Sequence, residues 1–233
     1  MTRDAGERVA FGFQLPIQGQ PAAFAEGWES RAGAQELATV ARVAERAGFA
    51  ALAVADHVAV PKSRAPTVGT TWWDCVATLA YLAAVTERIR LLSHVYVLPL
   101  RHPLLAAKQW TTLDALSGGR TILGVGAGDL EGEFAALGVD FHRRGALLDE
   151  ALGALRAGLD GEFSSHEGPT WRYEEVGLSP RPGQPRVPIW VGGASAAARR
   201  RAARWGDGWL AVGPPEVGLS AAVAEVHELR ERY

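Results

Sequence analysis

The chain has 233 residues, 48% of them hydrophobic, with 27 Gly, 13 Pro and a single Cys, enough to bury a sizeable core as one domain over 1–233. A formal net charge of −2 and a pI near 6.3 offer no electrostatic reason to invoke nucleic acid or an anionic membrane as a partner. Cys75 alone excludes an internal disulfide and any CxxC metal site. Apolar runs are broken by charge well short of a bilayer's thickness, and Met1 to Asp4 carry no signal-peptide pattern, so a cytoplasmic protein is expected.

In chain order, Val9 to Leu15 reads as a short strand stopped by Pro16. The loop to Gly33 is long for a compact domain, which suggests function. From Ala34 to Ala47, Leu37, Val40, Ala41, Ala44 and Ala47 recur at helical spacing, with Gly48 as the C-terminal cap. A second strand, Ala50 to Ala55, is followed by a helix over about Trp73–Thr86 and a third strand, Ile89–Leu98. Pro103 starts a helix that stops at Ser117-Gly-Gly119, and Thr121 to Val125 is the fourth strand.

Helices follow near Glu131–Leu137 and Gly145–Leu159. Residues 161–173 form a small excursion around a Gly-Pro turn, and Pro180 to Pro188 is extended. Ile189–Val191 is the fifth strand, Ser195–Trp205 a helix, Gly208–Val212 the sixth strand and Glu216–Arg232 the last helix. Alternating strand and helix predict a parallel sheet with helical crossovers. Polar or Gly-rich residues after nearly every strand favour a barrel over an open doubly wound sheet.

Val54-Ala-Asp-His-Val58 sets an acid and an imidazole where an apolar strand runs out, the edge where parallel α/β proteins collect their chemistry. A capping Asp and a satisfied surface His is the plain alternative. Gly124-Val-Gly-Ala-Gly-Asp129 also follows a strand, but its glycines alternate and do not meet the dinucleotide pattern GxGxxG. Either close backbone packing or the approach of a flat ring, with Asp129 at its edge, accounts for Gly126 and Gly128. Val191-Gly-Gly-Ala-Ser195 opens an Arg-containing helix. Gly192, Gly193, Ala194 and Ser195 there are either an anion-binding turn or a simple cap. No HxH or HExxH spacing points to metal, and no GxSxG elbow to Ser–His hydrolysis.

Pro99-Leu-Arg-His-Pro103, Ala107-Lys108, Leu113-Asp114, Leu116-Ser-Gly-Gly-Arg120, Leu123-Gly-Val-Gly126, Glu133-Phe134, Pro188-Ile-Trp-Val-Gly-Gly193 and Gly206-Asp-Gly-Trp209 fall in the order of the luciferase-like monooxygenases, which the chain resembles from Phe11 to about Trp209. The resemblance implies a TIM-type (β/α) barrel binding a flavin or deazaflavin at the carboxyl ends of its strands. The Asp-His pair looks like the branch that uses coenzyme F420, with FMN as the alternative. By resemblance, His57 would lie beside the reactive ring carbon and Asp56 would orient it. A non-prolyl cis bulge would fall near His94-Val95 and back the ring, Asp129 would serve as an acid, and Gly192 to Ser195 would hold the phosphate.

Family members continue for two further β/α units, whereas about six strands are counted here against about eight in a closed barrel. A fragment, a wall supplied by a partner and a shortened paralogue are the three readings of that difference. The implied activity is hydride transfer between F420 and a small organic substrate. A reduced-flavin monooxygenase and a non-catalytic flavin-binding paralogue are the rivals. A homodimer is compatible with the pattern, and the substrate itself is not legible.

Overall fold

The computed structural model describes residues 9–211, 213, 215 and 217–233. Met1 to Asp4 of the leader reading, Val212 of the expected sixth strand and Glu216 of the expected last helix lie outside the described residues. The chain forms β1 (Gly12–Gln14), α1 (Ala34–Arg46), β2 (Ala51–Val54), the one-turn α2 (Ala65–Val68), α3 (Cys75–Val85), β3 (Arg90–Ser93) and β4 (Tyr96–Val97). It continues through α4 (Pro103–Ser117), β5 (Thr121–Gly126), α5 (Glu131–Ala136), α6 (Arg144–Asp160) and the hairpin β6 (Phe163–Glu167) and β7 (Arg172–Gly177). The last elements are β8 (Ile189–Gly192), α7 (Ala196–Trp205), β9 (Gly208–Leu210) and α8 (Leu219–Arg230).

The main sheet is parallel and runs β1-β2-β3-β5-β8-β9, with β4 also paired to β5. Strands sit side by side in chain order, without the reversal that makes a doubly wound sheet. The architecture is therefore part of a (β/α) barrel, as the strand ends had suggested. Register is set by apolar pairs such as Leu52–Leu91 and Leu123–Ile189. Among the described residues, β1 and β9 are not paired with each other and the sheet is open.

Period-two alternation divides the strands between two cores. Leu52, Val54, Leu91, Leu123, Val125, Ile189 and Val191 face the helices and join their apolar stripes. Ala51, Ala53, Leu92 and Ile122, with Trp190 and Leu210 against them, fill the inner face. On the outside, α1 buries Leu37, Ala38, Ala41 and Ala44, and α4 ends where Gly118 takes the left-handed φ of +69°. Buried Arg120 ties α3, β3 and α4 together by donating to the Ala83, Thr86, Ile89 and Ser117 carbonyls and to the Thr86 hydroxyl.

Three expectations are refined. The first strand is shorter than Val9–Leu15, because β1 has one neighbour and Val9 and Phe11 are exposed. The third strand is divided into β3 and β4 at His94-Val95, whose peptide bond is cis. The excursion at 161–173 is an antiparallel hairpin that runs on to Gly177, since Ser164–Val176 and Phe163–Gly177 pairs extend the ladder. No helix among the described residues is long and apolar enough to cross a membrane.

Candidate functional site

All strands of a parallel sheet point their carboxyl ends to one rim. The segments after β2, β3, β5 and β8 therefore bring His57, His94-Val95, Gly126 to Asp129 and Gly192 to Ser195 to the same face. Two cavities open on that rim. One, of about 580 Å³, is lined by Val95, Gly126, Gly128, Asp129, Gly192, Gly193 and Ser195. The other, of about 470 Å³, lies toward β1 and includes His94 and Trp72. The cis bulge separates them, with His94 on one side and Val95 on the other.

His57 is mostly buried, its side chain 18% exposed. Its ring stands edge-on to Trp72 at 4.6 Å between centroids. Nδ1 lies 3.2 Å from Oε2 of Glu133, a carboxylate on the first turn of α5 that is 1% exposed. The other oxygen, Oε1, accepts from the Val58 amide at 2.5 Å and the Ala59 amide at 3.2 Å. Burial opposes a proton on His57, but the hydrogen bond and charge of Glu133, with the charges of Asp129 and Asp56, outweigh it and raise its pKa. Burial alone would raise the pKa of Glu133; the His57 and amide hydrogen bonds prevail and lower it. The pair therefore favours an imidazolium held by a carboxylate, with Nε2 left for chemistry.

Asp56 does not orient His57 through a hydrogen bond, as the resemblance had implied. Its carboxylate is 1% exposed and is gripped at both oxygens by Arg101, Nη1 to Oδ2 at 2.5 Å and Nη2 to Oδ1 at 2.8 Å. Oδ2 also accepts from the Val97 amide at 2.8 Å, and the guanidinium stacks on Tyr96 at 4.3 Å. The role expected of Asp56 falls to Glu133, because Asp56 turns inward toward β4 and fixes the backbone after the bulge.

Neither Glu133 nor Arg101 was expected to have a role, although Glu133-Phe134 and Pro99-Leu-Arg-His-Pro103 both belong to the family pattern. A signal for Glu133 was present. Leu130 and position 133 are spaced i, i+3 and so share a helix face, and an acid beside a buried Leu130 is expected to be buried and paired. Arg101 had no such signal, since only the turn after β4 aims it back at Asp56.

Val95 explains the bare backbone at Gly126 and Gly192. A Cβ on Gly126 would stand 2.5 Å from Val95 Cγ2, and one on Gly192 would stand 2.7 Å from Val95 Cγ1. At Gly126 the space expected to admit a ring directly onto the backbone is occupied by a Val95 methyl, which becomes part of the cavity wall, and at Gly128 it is taken by Val97 and Phe134. His94 on the far side has its pKa lowered by burial, and its Nδ1 lies 3.1 Å from Oε1 of Gln14.

Asp129 is exposed on the large cavity. At the β8 turn, Gly193 has φ +121°. Its amide donates to the Leu210 carbonyl at 3.0 Å and its carbonyl accepts from the Trp209 indole at 2.8 Å, so it shapes the turn and has no free amide for an anion. Ser195 caps α7 by accepting from the Ala198 amide at 3.2 Å. The Ala194 carbonyl is taken by Arg199, itself paired to Glu225. Arg144 and Arg201 also line the cavity; Arg201 is paired to Asp149 through Nε and Nη2, and Arg144 stacks on Phe141 and donates to its carbonyl.

The family profile described as luciferase-like monooxygenase matches residues 9–233. An uncharacterized protein of Mycobacterium tuberculosis is 35% identical over 204 residues, 82% of this chain and 70% of its own length. The FMNH2-dependent dimethylsulfone monooxygenase of Pseudomonas putida is 33% identical over 149 residues, 62% of this chain and 41% of its own. The solved coenzyme F420-dependent tetrahydromethanopterin reductase of Methanopyrus kandleri superposes with a TM-score of 0.76 at 22% identity, covering 97% of this chain and 62% of that one. The chain thus spans less than two thirds of the length of two of these three proteins.

Proposed function

The chain belongs to the luciferase-like monooxygenase family, and on that premise we propose that it is an oxidoreductase using the deazaflavin coenzyme F420 with a small organic substrate. The observation that carries this reading is the His57–Glu133 pair at the same rim as a roomy, cation-flanked cavity. At about 580 Å³ that cavity is within the usual range for small-molecule sites. Its Val95 wall suits a planar ring, and Arg144 with the start of α7 suits a phosphate, while Arg201 is held by Asp149. The residues fit such a cofactor, with Val95, Gly128 and Asp129 beside its ring and Ser195 at the start of α7 near its phosphate end, while Gly192 and Gly193 shape the turn.

When bound, F420 would supply or accept a hydride. The chain's own part is proton management. Glu133 holds Nδ1 and fixes the imidazole, so that Nε2 exchanges a proton with the substrate oxygen. Asp129 offers a second carboxylate for the same purpose. Arg101 and Asp56 act at a distance by fixing the Val97 backbone beyond the bulge. The test is fluorescence titration of the purified protein with F420 and with FMN. F420 binding supports the reading, and binding of neither by a folded sample rejects it.

The similarity to an FMNH2-dependent monooxygenase supports a second reading, oxygen activation with reduced flavin. Oxygen consumption with reduced FMN and none with the deazaflavin would favour it. Ligand binding without turnover across a substrate panel would favour a non-catalytic paralogue.

A further inference from the structure

Proton exchange at Nε2 requires the His57 imidazole to keep one orientation. Among the described residues its only hydrogen-bond partner is Oε2 of Glu133, 3.2 Å from Nδ1. One such bond leaves the ring other staggered side-chain positions to visit. What stands in their way is the indole of Trp72, edge-on to the imidazole at 4.6 Å between centroids and 74° between planes. Trp72 itself belongs to no helix, lying between α2 and α3, and is held by a second loop.

That loop runs antiparallel to it, with Gly19 opposite Trp72. The Gln20 amide donates to the Thr71 carbonyl at 3.0 Å, the Trp73 amide to Gln18 at 2.7 Å and the Ala22 amide to Thr67 at 3.2 Å. The Trp72 indole N–H donates to the Val68 carbonyl at 3.2 Å, and its six-membered ring lies against Gly19. A Cβ on Gly19 would overlap Cζ3 of that ring and stand 2.6 Å from Cε3, so this seat exists only over a glycine.

The seat is itself enforced. Ile17, two residues before Gly19, is fully buried with φ +75°, and a β-branched residue in the left-handed region persists only where its surroundings impose it. The buried carboxylate of Glu29 accepts from the Ile17 amide at 2.6 Å and, through its other oxygen, from the Glu26 amide at 2.8 Å. The side-chain amide of Gln20 donates to the Ile17 and Glu29 carbonyls. The strained turn thereby sets where Gly19 lies, and Gly19 sets where the indole lies.

We propose that Trp72, seated by Gly19 and the Ile17 turn, is a positioning residue that keeps Nδ1 of His57 on Glu133 and so leaves Nε2 for proton exchange. The proposal rests on the function proposed above for the use of that proton, and on the packing alone for the hold. The charges that bear on His57 are Glu133 on α5, Asp129 after β5 and Asp56 after β2. Gly19 and Trp72 are neutral, so changing them acts on the imidazole through burial or through position. The two effects have opposite signs. Uncovering the ring favours its proton, whereas losing Glu133 removes the bond and charge that raise its pKa.

The experiment follows the His57 ring protons by NMR against pH in the whole chain without cofactor. Trp72→Leu should move the titration to lower pH, because an imidazole released from both indole and carboxylate returns toward its ordinary value, below the raised one. Trp72→Phe, which keeps a ring over Gly19, should hold the natural titration. Gly19→Ala should shift it in the same direction as Trp72→Leu and add nothing to that variant, as residues acting through one contact do. The Val58 and Ala59 amides, anchored separately on Glu133, should keep their protection from hydrogen exchange throughout.

A His57 that titrates unchanged or at higher pH in Trp72→Leu overturns the proposal, since the indole is then a cover without a hold. Lost protection at Val58 and Ala59 overturns it too, by making the effect one of fold. On the unaltered protein, the absence of a nuclear Overhauser contact between the His57 and Trp72 rings overturns it even if no variant folds. Cofactor titration is read separately. The expected His57 shifts without F420 or FMN binding would reject the oxidoreductase and leave the positioning role, and the converse would reject the positioning role alone.

Discussion

Glu133→Gln separates charge from shape at the centre of the site. The amide oxygen of Gln can still accept from the Val58 and Ala59 amides, so the backbone after His57 keeps its anchor. What is lost is the negative charge facing Nδ1 at 3.2 Å and its reinforcement of two amide bonds. Hydrogen bonds to charged groups contribute about 1.5–3 kcal/mol, which for a domain of this size is a fall in Tm of roughly 3–12 °C near pH 6.

The pH dependence has a definite sign. His57 has a raised pKa in the fold, so its contribution is complete below the ordinary imidazole value, roughly 6.5, and is lost as pH rises through the raised value. Glu133 has a lowered pKa, so its contribution is present above the ordinary carboxylate value, roughly 4.3, and is lost as pH falls through the lowered one. The Tm difference between the natural protein and the variant should therefore be greatest between those two ordinary values and shrink on both sides. In proton NMR, the His57 ring signal should titrate at lower pH in the variant than in the natural protein, because burial then acts with less opposition. An unchanged His57 titration, or a Tm difference flat from pH 4 to 9, would refute the assignment of Glu133 as its partner.

His57→Gln should keep cofactor affinity within a few-fold and lose most turnover; unchanged turnover in a steady-state assay removes Nε2 from proton exchange. Arg101→Leu strands the Asp56 carboxylate beneath β4, and breaking a buried pair costs about 3–5 kcal/mol. Thermal denaturation should show a fall of roughly 6–20 °C, and a surface-like change of a degree or less would contradict the burial of that pair. Gly126→Ala places a Cβ against Val95 and should cost about 1–3 kcal/mol by overpacking. Adding Val95→Ala should restore most of it in urea unfolding, and additivity of the two substitutions would show that they do not touch.

Much of the fold is written in local pattern. The alternation of apolar strands with helical stripes such as Leu37, Ala41 and Ala44 dictates a parallel sheet, and the polar residues after each strand mark its working edge. His57, Asp129 and the β8 turn could be picked out because acids, imidazoles and paired glycines have no use inside a strand. The break at His94-Val95 came from resemblance alone, since nothing in Ile89–Leu98 as a run of residues interrupts a strand.

Partnership was beyond local reading. Asp56 and His57 are neighbours in the chain, yet successive side chains leaving a strand point apart, and each finds its partner on an element far away: Arg101 after β4 for one, Glu133 on α5 for the other. Ile17 shows the same limit, for its amide is held by the Glu29 carboxylate across eleven intervening residues. Hydrophobic periodicity is short-ranged and repeats, so it survives in the sequence; a buried hydrogen bond is a single event between distant segments and exists only once the chain has closed on itself.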